Sequence, residues 1–113
     1  MSTSLPVMKL REEQKNIESM LEDLNSQKVT IDEKYSLLIN EENKLYDELR
    51  KCRDNQQFER LQMRIHMISN RRKEVEAAKQ EVERKIRGFQ DQLEKIKLKI
   101  EYMKPKGELV EHK

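Results

Sequence analysis

One apolar row runs through the first half of the chain at a spacing of seven: Leu10, Ile17, Leu24, Ile31, Leu38, Leu45 and Cys52. Taken as d positions of a heptad, they place the a positions at Gln14, Leu21, Lys28, Tyr35, Glu42 and Leu49, which alternate polar and apolar. A second row fills the other half. Its d positions are Leu61, Ile68, Val75, Val82, Phe89, Ile96 and Met103, and its a positions are Phe58, Ile65, Arg72, Lys79, Ile86, Leu93 and Ile100. Heptads sustained this long predict two long helices that share a coiled-coil seam.

The two rows are out of phase. From Cys52 the next d position would be Glu59, yet the row resumes at Leu61. Two extra residues rotate the stripe by about 200° on a helix of 3.6 residues per turn. That is neither a stutter nor a stammer, so a single continuous coil would be badly interrupted. The break falls in Arg53–Gln57, where Asp54 and Asn55 are turn formers that tolerate left-handed geometry. The chain therefore reads as all-α, a long antiparallel helical hairpin. The predicted parts are a lead-in at 1–6, helix 1 at 7–52, a turn at 53–57, helix 2 at 58–104 and a tail at 105–113. Pro6 suits a first helical turn, with Ser4 as its cap, and Pro105 and Gly107 stop the second helix. Gly88, inside helix 2, costs about 1 kcal/mol against Ala; it is either tolerated or permits a close approach.

Folding about Asn55 pairs positions whose numbers sum to 110. Wholly apolar layers then form from Leu49 with Leu61, Leu45 with Ile65, Tyr35 with Val75 and Leu24 with Ile86. Leu21 with Phe89, Ile17 with Leu93, Leu10 with Ile100 and, at the tip, Cys52 with Phe58 complete them. Mixed layers pair Glu42 with Ile68, Leu38 with Arg72, Ile31 with Lys79, Lys28 with Val82 and Gln14 with Ile96. The apolar members of all these layers are the predicted core. No layer holds two polar groups, and long Lys and Arg stems can cover a layer while sending their charge to water. A parallel homodimer would instead stack Lys28, Glu42, Arg72 and Lys79 each on its own copy, and like charges in a desolvated seam oppose that arrangement.

The flanks add register. Along the g edge Glu48 faces Arg64, Glu41 faces Arg71 and Glu13 faces Lys99, all opposite in sign. Such exposed pairs are worth about 0.2–1 kcal/mol each. The e edge sets Asp32 against Glu76 and Arg11 against Lys97, both repulsive, and exposes Ile39 and Tyr46.

Composition agrees with helices and excludes much else. Of 113 residues, 41% are charged and 35% apolar, with two Gly, two Pro and no Trp. That is too little apolar material for a compact α/β or all-β domain. The net charge of +2 argues against a strongly basic nucleic-acid binder. Residues 1–55 carry nine basic against twelve acidic side chains and residues 56–113 fifteen against ten, as expected of two segments that attract each other. A lone cysteine allows no intrachain disulfide and fits a reducing compartment. No stretch reaches the ~20 apolar residues of a membrane span, and Met1–Pro6 lacks the apolar core of a secretory signal. The expected setting is intracellular, cytoplasmic or nuclear.

Chemistry finds little footing. The only nitrogen and sulfur ligands are Cys52, His66 and His112, and zinc wants three or four converging. Nothing orients Cys52 and His66 as a nucleophile pair, and there is no phosphate loop or nucleophile elbow. The expectation is a non-enzyme with no metal, catalytic residue or cofactor. Basic clusters at Arg71–Lys73, Arg84–Arg87 and Lys95–Lys99 could track phosphates or an anionic surface, but carboxylates interrupt them and no aromatic side chain interleaves.

The apolar excess outside the seam is the functional clue. Leu37, Ile39, Tyr46, Met63 and Met67 are not needed by a two-helix core and are the candidate partner-binding residues. The expected role is assembly by helix–helix packing, as a dimer of hairpins forming a four-helix bundle or within a hetero-oligomeric complex. Two alternatives are nucleic-acid or anionic-surface binding through helix 2, and a stalk cut from a larger protein.

Overall fold

A computed structural model describes residues 5–103. The chain is an all-α helical hairpin: α1 spans Leu5–Lys51 and α2 spans Asn55–Tyr102, and no described residue is in a strand. The Ser4 cap, the Pro105 and Gly107 stops, His112 and the predicted tail lie outside the described residues.

Both helices are longer at their starts than the heptad rows imply. Pro6 is accommodated in the first turn of α1, where its missing N–H costs nothing. At its other end Arg50 and Lys51 sit in the last turn, where cations oppose the negative end of the helix dipole. The connection is 52–54, not 53–57. Asp54 is the cap of α2: its carbonyl accepts the Phe58 N–H at 2.9 Å, the first bond of that helix. Asn55, Gln56 and Gln57 then continue as helix, since glutamine is a good helix former. The Cys52 N–H closes back on the Leu49 carbonyl at 3.2 Å, and the Cys52 thiol donates to the Asp54 carbonyl at 3.2 Å. No described residue takes a positive φ, so the left-handed geometry expected of the turn is not used.

The packing divides into two units. The tip unit, Ser26–Glu83, holds the connection; the base unit holds residues 5–25 and 84–103. In the tip unit Leu45, Leu61 and Ile65 form a buried cluster, with Leu49, Cys52 and Ile68 packed against it. Leu45 with Ile65 and Leu49 with Leu61 are the layers whose numbers sum to 110. Leu38 and Val82 are also buried, while Ile31, Tyr35 and Val75 are half-buried. In the base unit Ile17, Leu21, Leu24, Ile86, Ile96 and Ile100 are buried, and Leu10, Phe89 and Leu93 are half-buried.

Two core expectations need correction. Phe58 is 37% exposed. It lies in the first turn of α2, where a three-residue connection leaves no further layer to cover its ring. Val7 is buried although the apolar row starts at Leu10. It occupies the a position one heptad before Gln14, which the longer α1 brings into the seam. Gly88 is helical and exposed, and a Cβ built on it meets nothing within 4 Å. Among the described residues none makes the close approach its small size allows.

These exposures set an order of stability. Leu61→Ala should lower the unfolding free energy by about 2–3 kcal/mol, the low end for a buried leucine because the seam is narrow. Phe58→Ala should cost about 1 kcal/mol or less, since much of its ring already faces water. Urea unfolding followed by circular dichroism measures both; equal costs would mean that the tip layer is closed.

Candidate functional site: polar seam and apolar flanks

The polar residues of the tip unit do not act singly. Glu42 is the one buried charged side chain among the described residues, at 8% exposure. The Arg72 Nε donates to both of its carboxylate oxygens, at 3.0 and 3.2 Å. The same guanidinium donates from Nη1 to Glu76 Oε2 at 3.3 Å and from Nη2 to Ser69 Oγ at 3.4 Å. Arg72 is therefore held by three partners across and along the helices. The Glu42 hydrogen bond, against a desolvation that acts the other way, pushes the arginine pKa above its ordinary value. A group raised in the folded state contributes fully below its unfolded pKa and loses the contribution only above it. The bond to Glu42 thus favours the charged form of the guanidinium.

Sequence reasoning missed this pair. It set Glu42 against Ile68 and Arg72 against Leu38, each as a lone polar side chain. Those two layers are one helical turn apart on opposite helices, and opposite charges in adjacent layers were the available signal. The Arg72 charge does not run out to water: its side chain is 21% exposed. The repulsion expected between Asp32 and Glu76 is also absent. Glu76 turns to Arg72, and Asp32 Oδ1 lies 3.3 Å from Lys79 Nζ. That second contact is one of charge alone, because Asp32 Oδ1 is buried and accepts no hydrogen bond. Lys79 also stands 5.1 Å over the Tyr35 ring, a cation–π contact that covers the layer. By contrast Glu48–Arg64, Glu41–Arg71 and Glu13–Lys99 do not close to ion-pair distance among the described residues. Arg50 pairs with Asp47 on its own helix.

The candidate partner-binding residues fall on different faces. Tyr46 and Ile39 share the e flank of α1, one heptad apart, but Ile39 is half-buried rather than exposed. Leu37 is exposed and lies two residues before Ile39, about 200° around the helix, so it belongs to the opposite flank. Met63 and Met67 are 69% and 66% exposed on the outward face of α2. They rim a hollow of about 450 Å³ with Glu59, Gln62 and His66. An adjoining hollow of about 290 Å³ is bordered by Tyr46, Gln62, His66 and Ser69, over Leu49 and Ile65. Gln62 and His66 are common to both, so Tyr46, Met63 and Met67 make one surface and Leu37 stands apart from it.

His66 is exposed with its Nε2 3.3 Å from Asn70, and Cys52 is half-buried. Among the described residues no group of three His, Cys, Asp or Glu side chains converges, and no helix is long and apolar enough to cross a membrane. The chain matches no family model, no curated protein and no solved structure.

The polar seam makes a definite prediction. Arg72→Leu leaves the Glu42 carboxylate buried with no cation and should lower the melting temperature most. Glu42→Leu should lower it less, because Arg72 keeps Glu76 and Ser69. The double substitution should recover much of the loss, as apolar replacement of buried ion pairs often does. A thermal double-mutant cycle reads the order; additive losses would show that the pair is not coupled.

Proposed function

We propose that this chain is a non-catalytic coiled-coil assembly subunit that holds another protein by helix–helix packing. The carrying observation is the cluster of exposed Tyr46, Met63 and Met67 on the tip unit, joined through the polar Gln62 and His66. Tyr46, Met63 and Met67 stand exposed around two adjoining hollows, and the floor of one is the seam residues Leu49 and Ile65. A helix laid along this flank would seat side chains in the hollows and cover the seam from the side. Unbranched methionines adapt to a partner's contour, and the tyrosine supplies a rigid contact with a polar tip.

The experiment is site-specific photocrosslinking. A photoreactive residue at position 46 or 63 should capture a polypeptide, and one at the polar outward position 73 should not. Tyr46→Glu should weaken that association about tenfold or more while leaving helicity nearly intact, because Tyr46 is not needed to close the seam. Equal capture from positions 46 and 73, or capture of nucleic acid instead of polypeptide, would overturn the reading. Tyr46 is the cleaner probe than Ile39, which is half-buried and would report on folding as well.

A further inference from the structure

The base unit carries a second surface of a different kind. On its g and c positions, α1 presents Glu13, Asn16, Met20 and Asp23, and α2 presents Lys85, Gly88, Gln92 and Lys95, all exposed. Four of these, Glu13, Asn16, Gln92 and Lys95, rim one hollow of about 380 Å³ whose floor is Ile17 and Ile96. Of the eight, neither the acidic nor the basic side chains close an ion pair among the described residues. Within the hollow Glu13 stands on the α1 side and Lys95 and Lys99 on the α2 side, and Asp23 and Lys85 continue the two exposed rows beyond it.

The spacing of the two sides matches. From Glu13 the α1 row steps by three, four and three to Asp23, and from Lys95 the α2 row steps back by the same intervals to Lys85. In one antiparallel register Glu13 meets Lys95, Asn16 meets Gln92, Met20 meets Gly88 and Asp23 meets Lys85. Two of these contacts are opposite charges, one is an amide pair and one sets a long apolar side chain over a residue with open space above it. Extending the register adds Pro6 against Tyr102, which is apolar, and Lys9 against Lys99, which is repulsive.

We infer that this flank of the base unit is a two-fold interface with a second copy of the chain, α1 of each copy lying antiparallel on α2 of the other. A two-fold axis along the helices brings these facing rows together and makes every contact twice. The alternative two-fold, which lays α2 on α2, would bring the flank of Lys85, Lys95 and Lys99 against its own copy, with no carboxylate on that flank to relieve it. Gly88 then has a role that nothing inside the chain supplies: it is the notch for the partner copy's Met20. The inference deepens the assembly reading by naming a partner, and it uses residues separate from the tip surface.

Light scattering and sedimentation over a concentration series on the full chain test it. The wild type should show twice the 13.7 kDa chain mass. Lys85→Glu/Lys95→Glu should raise the dimer dissociation constant about tenfold or more, and so should Glu13→Lys/Asp23→Lys. Helicity should stay unchanged in both, because all four side chains are exposed. Mixing the two variants in equal amounts should restore the two-chain mass, since each then offers the charge that the other lacks. Gly88→Leu should weaken the dimer although it improves helix propensity. A wild type of one-chain mass, charge variants as dimeric as the wild type, or no rescue on mixing would overturn the inference. If Tyr46→Glu dissociates the dimer and the charge reversals do not, the tip surface is the self-association site. The inference then falls and the assembly reading stands.

Discussion

The buried carboxylate of Glu42 constrains everything around it. A seam between two helices has little room to solvate a charge, and an ionised side chain there needs a cation with fixed geometry. Arg72 supplies it from the other helix and is itself braced by Glu76 and Ser69. This pair forms only when α1 and α2 run antiparallel in a register that puts residue 42 one turn from residue 72. A slip of one heptad carries residue 42 away from residue 72 and breaks this pair, along with the contacts Arg72 makes through it. The pair therefore says less about how stable the hairpin is than about which hairpin forms, the best-attested use of a buried polar group.

The Lys79 contacts extend that logic through the tip unit. An ammonium between Asp32 and the Tyr35 ring closes the Ile31 layer without leaving an unpaired cation inside. Two of the mixed layers, those of Glu42 and Arg72, look like weak points when read one at a time but are joined by opposite charges when read diagonally. In the seam of the base unit Ile17, Leu21, Leu24, Ile86, Ile96 and Ile100 are buried. Its charges lie outside, on the flanks.

Much of the fold was legible because heptad periodicity is a property of single helices. Two rows and their phase break were enough to find two helices, a reversal near residue 54 and the layers through Leu45, Ile65, Leu49 and Leu61. What failed was whatever depended on ends or diagonals. The connection was too long by two residues because turn-forming residues were weighed above helix capping by Asp54. Period alone places Phe58 in the core, but its place in the first turn of α2, next to the short connection, leaves it 37% exposed. Val7 was lost because the row was begun at the first apolar d position and the a series was not carried back. The Glu42–Arg72 pair was lost because facing positions were compared only within layers, while an arginine side chain spans a full helical turn. The exposed apolar residues outside the seam are legible one by one, but not which of them lie side by side. Only side-chain packing joins Tyr46 to Met63 and Met67 through Gln62 and His66, and helix geometry removes Leu37 from the group.

A two-helix seam also explains why flanks matter here. Even the best-covered side chains, Leu45 and Leu61, keep 3% of their surface in contact with solvent, and several core positions remain half-buried. Each layer has only one residue from each helix, so nothing covers it from the side. Further stabilisation of such a seam comes most directly from a third or fourth helix laid along a flank. The two flanks differ in what they could select. The tip surface offers exposed methionines and a tyrosine, which as a proposed docking site would tolerate many helices with a hydrophobic stripe. The base surface carries opposite charges in matched order, which as the proposed interface would discriminate by register and sign. Salt should separate the two: screening weakens contacts between exposed charges and leaves apolar burial intact or strengthens it. Under the proposed dimer, one flank would fix the stoichiometry and the other would stay open to a different partner.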